Sequence, residues 1–273
     1  MNFRRLSATQ NTFFFISDKE LREHTLPASL RGLNSSELAQ LACQKFGSGA
    51  DGFVIVKKHE PNEPVDFIWD FYNKDGSSAE MCGNAARCMA FYVRSYANFT
   101  EPKVSFKTIA GVVEVKILEN GNFSVKMPEH KIYKLWDIEK IDSKNIKYSY
   151  INTGVPHAVI EVESLERSSL LPLVKHFRYH ADFGSAGANV SFFRRSPEGL
   201  AGVTFERGVE NFTASCGTGV VAMALSQLQG ADANQNTLEV QTPGGLLRVD
   251  LDSSKKFCWL TGPAGLDEEV ELY

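Results

Sequence analysis

Met81-Cys82-Gly83-Asn84-Ala85 and, far downstream, Ser215-Cys216-Gly217-Thr218-Gly219 each set a cysteine and small residues directly before a helix-like run. The first run, Ala85 to Tyr96, is apolar at Ala86, Met89, Ala90 and Val93, which is helical spacing; the second spans Val220 to Leu228 and ends at Gly230. A cysteine at a helix N-terminus sees unpaired backbone N–H groups and the positive end of the macrodipole, so its thiolate is favoured and an anion can dock beside it. Two such corners facing each other make a two-thiol site around one carboxylate.

Outward from the first corner, Phe13 to Ile16, Phe53 to Val56 and Val65 to Phe71 are rich in β-branched and aromatic residues and read as strands. A helix is predicted over Ser35 to Phe46, because Asn34 and Glu37 form a capping-box start and Gly47 a natural stop. Asn73 to Ser77 reads as a turn, and strands follow at Val104 to Thr108 and Val112 to Leu118. Asn120-Gly121 is the strongest hairpin signal, leading into Phe123 to Met127, and a new block starts near there. That block reads as strand Ala158 to Glu163, a helix around Glu166 to His176, and strands Asn189 to Phe193 and Gly202 to Glu206. After the second corner come strands Leu238 to Gln241, Leu246 to Leu251 and Phe257 to Leu260. Both halves thus run strands, a Cys-Gly turn, a helix and more strands, the order of duplicated α+β domains built of hairpins on a helix rather than a βαβ parallel sheet.

The 273 residues are enough for two such domains, and 43% hydrophobic residues supply a core. With 29 Lys and Arg scattered among 33 acidic residues the net charge is −4, leaving no basic stripe for nucleic acid. A small molecule is the expected partner. No apolar run approaches the roughly 18 residues of a membrane span, and no signal-peptide core follows Met1, so a cytoplasmic protein without a membrane partner is expected. The five cysteines are odd in number and irregularly spaced, which speaks against a disulfide framework. No CxxC and no HxxxH is read in the chain, so neither structural zinc nor any other metal is expected.

Several stretches, in order, carry a resemblance: Asn11-Thr12-Phe13, Phe46 to Gly52, Asn73 to Ser77, Met81 to Cys88, Gly154 to Ala158, Asn189-Val190, Glu206 to Val209 and Ser215 to Gly219. With them the chain resembles the diaminopimelate epimerases, amino-acid epimerases and racemases that work without pyridoxal phosphate. The resemblance implies an α+β fold of two pseudo-symmetric domains, each a mainly antiparallel curved sheet or barrel around a central helix, with the active site in the interdomain cleft. It places Cys82 in an N-terminal domain of residues 1–118 plus 264–273, and Cys216 in a C-terminal domain of residues 119–263. No cofactor is implied, and a homodimer is compatible with the likeness.

Inverting an α-carbon needs one group to remove a proton from one face and another to deliver a proton to the opposite face. Cysteine suits both tasks because its pKa lies near the working range. The resemblance implies that Cys82 and Cys216 are that pair, on the L and D faces respectively, whereas Cys43, Cys88 and Cys258 read as buried. The carbanion needs its carboxylate held by preorganised donors, assigned to the backbone N–H groups around Gly83, Asn84, Gly217 and Thr218. By the same likeness His157 and Glu206 stand beside the thiols and the substrate ammonium. Arg207 would pair with the distal carboxylate of a long amino diacid, and Asn11, Asn73 and Asn189 would bind its distal amino-acid group.

Thr12, Ala85, Val155 and Phe212 depart from residues common in the family. None removes a catalytic group; all bear on how the far end of the substrate is read. The expected activity is conversion of L,L-diaminopimelate to its meso isomer. A racemase of another amino acid such as histidine, or a non-catalytic amino-acid binder or thiol redox protein, stays open at this level.

Overall fold

The computed structural model describes residues 2–23, 30–59, 64–228 and 235–271. It divides into two units, Met1–Val125 with Gly262–Tyr273, and Lys126–Thr261. The breaks fall at 125/126 and 261/262, against expected boundaries at 118/119 and 263/264.

The first unit contains β1 (Asn2–Ala8), β2 (Asn11–Ser17), α1 (Asp18–Glu23), α2 (Ser35–Lys45), β3 (Gly52–Lys58), β4 (Phe67–Asn73) and α3 (Gly83–Tyr96), then β5 (Lys103–Thr108), β6 (Gly111–Ile117) and β7, which begins at Phe123. The second holds β8 (Lys131–Ile141), β9 (Lys144–Asn152), β10 (Pro156–Glu161), α4 (Arg167–Phe177), a 3-10 turn (Ala181–Phe183), β11 (Asn189–Ser196), β12 (Gly199–Glu206), β13 (Asn211–Phe212), α5 (Gly217–Leu228), β14 (Thr237–Thr242), β15 (Gly245–Leu251) and β16, from Cys258. The last strand, β17 (Gly265–Glu271), returns to the first unit.

Among the described residues the first unit orders its strands β17-β1-β2-β3-β4-β5-β6-β7. The second orders them β8-β9-β10-β11-β12-β14-β15-β16, with β13 folded back on β12. Read along these orders, both units give antiparallel, antiparallel, parallel, antiparallel, parallel, antiparallel, antiparallel. The duplication is therefore a repeat of topology, in mainly antiparallel sheets. It also corrects the exclusion of βαβ units, because each parallel pair needs a crossover and each crossover here contains a helix. α3 links β4 to β5, and α5 links β12 to β14.

α3 and α5 are the helices each sheet is built around. All ten residues from Gly219 to Leu228 are buried in α5, and α3 buries Gly83 to Ala90 together with Tyr92 and Val93. A helix apolar on every side belongs inside a core rather than on a surface. The expected stop at Gly230 lies outside the described residues.

α2 begins as expected: Asn34 Oδ1 accepts from the Glu37 N–H at 3.0 Å, and Glu37 Oε2 accepts from the Asn34 N–H at 2.9 Å. Missed by the sequence reading were β1, α1, β8, β9, β13 and β17. Replacing Asn34 by Ala removes one half of this reciprocal cap and should cost about 1 kcal/mol. Urea unfolding checks it as a lowered midpoint at unchanged slope.

Candidate functional site

The two cysteine corners lie in different units. Cys82 is the N-cap of α3, in extended backbone (φ −141°, ψ 127°), and its side chain does not cap the helix. Cys82 itself is half-buried, whereas Asn84 in the first turn is 3% exposed. The Asn84 amide is fixed from two sides: its Oδ1 accepts from Arg87 Nη2 at 2.8 Å, and its Nδ2 donates to Asn11 Oδ1 at 2.6 Å. Arg87 Nη2 also donates to Thr9 Oγ1 at 3.0 Å, and Arg87 Nε to the Pro263 carbonyl at 3.3 Å.

Arg87 is wholly buried, and its Nη1 has no hydrogen-bond partner among the described residues. Burial pulls its pKa down to about 10, against the attraction of the Cys88 and Cys82 sulfurs. A buried cation without a carboxylate is a costly arrangement that an adjacent anion relieves. Asn11 thus joins the Cys82 corner through Asn84. Asn73 does not: its Nδ2 donates to Ser77 Oγ at 3.0 Å inside its own turn.

In the second unit Cys216 precedes α5 and is 9% exposed. Its sulfur lies 3.4 Å from Thr218 Oγ1 and is hydrogen-bonded to the Glu206 carboxylate. Burial raises the Glu206 carboxyl above its ordinary range, opposed by the hydrogen bonds from Thr213 and Cys216. Thr218 Oγ1 is in turn 3.0 Å from His157 Nε2, and His157 Nδ1 is 3.0 Å from Ser191 Oγ. Ser191 Oγ continues to Thr204 Oγ1 at 3.0 Å.

The orientation of this chain of groups follows from one backbone donor. The Arg207 N–H, which can only donate, reaches Asn189 Oδ1 at 2.7 Å. The Asn189 amide therefore turns its Nδ2 to His157 Nε2, 3.3 Å away, so Nε2 accepts and the ring proton sits on Nδ1. Full burial, aided by the Arg207 charge, pushes the His157 pKa down to about 3, so the imidazole is neutral. The Arg207 guanidinium donates to the Gly187 carbonyl at 3.2 Å. Gly219 is needed beneath this chain: a Cβ there would stand 2.4 Å from Thr204 Oγ1 and 3.0 Å from Ser191 Oγ.

Of the four departures, Thr12 and Phe212 have structural partners. The Thr12 N–H and hydroxyl reach Asp51 Oδ2 at 2.9 and 3.3 Å, and Ala85 is buried within α3. Phe212 is buried against Phe205 and Phe192, while Val155 is half-buried. Cys43, Cys88 and Cys258 are buried, and burial raises all three thiols, Cys43 and Cys258 to about 12. Sequence reasoning missed Arg87, Thr218's link to His157, and the serine and threonine behind it. The reading that no HxxxH occurs is corrected: His176-Phe177-Arg178-Tyr179-His180 has that spacing, and its two rings meet Glu139.

His157 sets a pH dependence. An unfolded histidine takes up a proton near pH 6.5 whereas the folded one resists it down to about 3, so stability is complete above 6.5 and falls as pH drops through that window. In His157→Asn the unfolding free energy should lose about one proton of pH slope between pH 4 and 6 relative to the unsubstituted protein. Urea titrations at stepped pH measure it; an identical slope in both would show that His157 is not the group excluded from protonation.

The diaminopimelate epimerase family model matches residues 5–132 and 149–266. A diaminopimelate epimerase of Aquifex aeolicus is 34% identical over the whole of both chains. One of a Hydrogenobaculum species is 37% identical over 85% of this chain and 84% of its own. Among solved structures, a phenazine biosynthesis protein of the PhzF family from Bacillus anthracis superposes with a TM-score of 0.72 at 16% identity, covering 100% of this chain and 99% of its own. A hydroxyproline epimerase from Agrobacterium vitis does so with 0.65 at 14% identity, covering 100% and 92%. These two likenesses show a shared fold. No helix among the described residues is long and apolar enough to cross a membrane. With the family model spanning most of its length and relatives above 30% identity covering it end to end, the chain belongs to the diaminopimelate epimerase family.

Proposed function

We propose that the protein is an isomerase that converts L,L-diaminopimelate to the meso isomer by proton transfer between Cys82 and Cys216, with no cofactor, as a cytoplasmic step toward lysine and peptidoglycan. The observation that carries this reading is the Cys216 corner: a thiol at the start of a buried helix, hydrogen-bonded to a carboxylate whose proton affinity is raised by burial. Such a carboxylate is a stronger base than an exposed one, so it can take the thiol proton when Cys216 has to act as a base and return it when Cys216 has to act as an acid.

The reaction then runs as follows. One thiolate removes the α-proton and the opposite thiol delivers its own proton to the other face. The electron pair left on the α-carbon spreads into the carboxylate, which the N–H groups at Gly83, Asn84, Gly217 and Thr218 hold. At Cys82 the uncompensated Arg87 charge favours thiolate. Neutral His157 steadies the Thr218 hydroxyl beside Cys216. Arg207 takes the distal carboxylate, and Asn11, Asn73 and Asn189 take the distal amino-acid group; Asn73 leaves its bond to Ser77 to do so.

The test is a proton-exchange assay in deuterated water with L,L-diaminopimelate and a panel of L-amino acids. Deuterium should enter one α-carbon of diaminopimelate, and Cys82→Ala or Cys216→Ala should each lower epimerisation by at least about a hundredfold. Near-normal turnover by either variant overturns the two-base mechanism, and faster racemisation of a monoacidic amino acid overturns the substrate.

Glu206 predicts the acid limb of the rate profile. Activity should fall with decreasing pH at an apparent pKa above the roughly 4.3 of an ordinary glutamate, because protonated Glu206 cannot take the proton of Cys216. Glu206→Gln should cost about a hundredfold in kcat and abolish that limb; a limb surviving unchanged in the variant assigns it elsewhere.

A further inference from the structure

We propose that Glu139, His176 and His180 form a binding site for a divalent transition-metal ion of the zinc type, separate from the cysteine corners. His176 lies in the last turn of α4 and His180 caps the 3-10 turn that follows, while Glu139 comes from β8, far away in sequence. One donor atom from each lies within 4.8 Å of the others. Glu139 Oε1 is 3.3 Å from His176 Nε2, and Glu139 Oε2 is 3.5 Å from His180 Nε2. The two separations run to different oxygens of the one carboxylate, and both are close to the roughly 3.3 Å between ligands held at 2.0–2.2 Å around a tetrahedral zinc ion.

The nitrogen at the centre of this cluster is otherwise unexplained. Among the described residues His176 Nε2 is buried and makes no hydrogen bond; it lies 3.3 Å from Glu139 Oε1 without hydrogen-bond geometry. A metal ion uses that nitrogen's lone pair and removes the cost of burying it unpaired. Behind His180 stands a support of the kind that orients metal-bound imidazoles. Its Nδ1 is 3.5 Å from Asp182 Oδ2, and that carboxylate is held by Lys134 Nζ at 2.8 Å and by the Tyr148 hydroxyl. In the metal-free ring Nδ1 accepts from the Asp182 N–H at 3.3 Å; metal binding at Nε2 would move the ring proton to Nδ1, facing the carboxylate.

The donor set selects the ion. Two imidazoles and one carboxylate suit zinc, cobalt or nickel, whereas calcium and magnesium prefer oxygen alone. Three protein ligands leave a position for water, and the ion would tie the end of α4 to β8.

Cobalt(II) is the probe, titrated into the chelator-stripped full-length protein and followed by visible absorption. We expect one cobalt per chain with a ligand-field spectrum free of thiolate charge transfer, displaced by zinc and unchanged in Cys82→Ser and Cys216→Ser. His176→Gln and Glu139→Gln, both at partly exposed positions, should each weaken binding by at least about tenfold. Absence of stoichiometric binding, a thiolate spectrum that disappears with the cysteines, or undiminished binding in both ligand variants would overturn the site.

Discussion

A helix enclosed by its own sheet cannot leave its ends to water, and this constraint organises both units. α3 and α5 each bury ten residues, and the first N–H groups of each have no partner within the helix. Serine, threonine or aspartate at the cap would satisfy some of them. α3 instead begins with Cys82, which makes no capping bond, followed by Gly83 and a buried Asn84 whose amide faces Arg87 and Asn11. The N-terminus of such a helix favours an anion, because its backbone N–H groups and its dipole both point outward there.

The surrounding sheet makes the arrangement rigid. At Gly219 the approach of helix to strand is too close for any Cβ, because Thr204 and Ser191 stand immediately beneath. The same two hydroxyls continue the hydrogen-bonded line through His157 to Thr218. Packing and site are therefore one structure: the glycine that lets α5 sit against β11 and β12 also lets their side chains reach its first turn.

Much of this was legible in the sequence because the signals are local. The Asn34–Glu37 cap, the Asn120-Gly121 turn and the cysteines before apolar runs depend on residues a few positions apart. What was not legible depends on partners far away. β8 reads Lys131-Ile-Tyr-Lys-Leu-Trp-Asp-Ile-Glu-Lys-Ile141, charged and half exposed, and its register against β9 shifts twice, so neither burial nor clean alternation marks it. β1 and β17 carry Arg4 and Arg5 opposite Glu269 and Glu268, a pairing that only the closing of the chain brings about. Within the site, the cysteines announced themselves by position. Arg87 did not, since an arginine in a helix ordinarily lies on the surface and only the enclosure of α3 shows it buried.

The repeat of topology makes the difference between the corners informative. The position five residues beyond Cys82 is Arg87, whereas five beyond Cys216 is Val221, and both are buried. Cys216 has a carboxylate at its thiol; Cys82 has a guanidinium in its electrostatic field. Two identical corners would hold their protons equally, and a pair of equal thiols has no preferred resting state. A cation in the field of one sulfur and a carboxylate bonded to the other make the two corners electrostatically unequal. Arg87 is tied to Asn84 and Thr9 rather than to the sulfur, and Glu206 shares its oxygens with Thr213. Each charge is thus shared with neutral partners and is not spent on its sulfur alone.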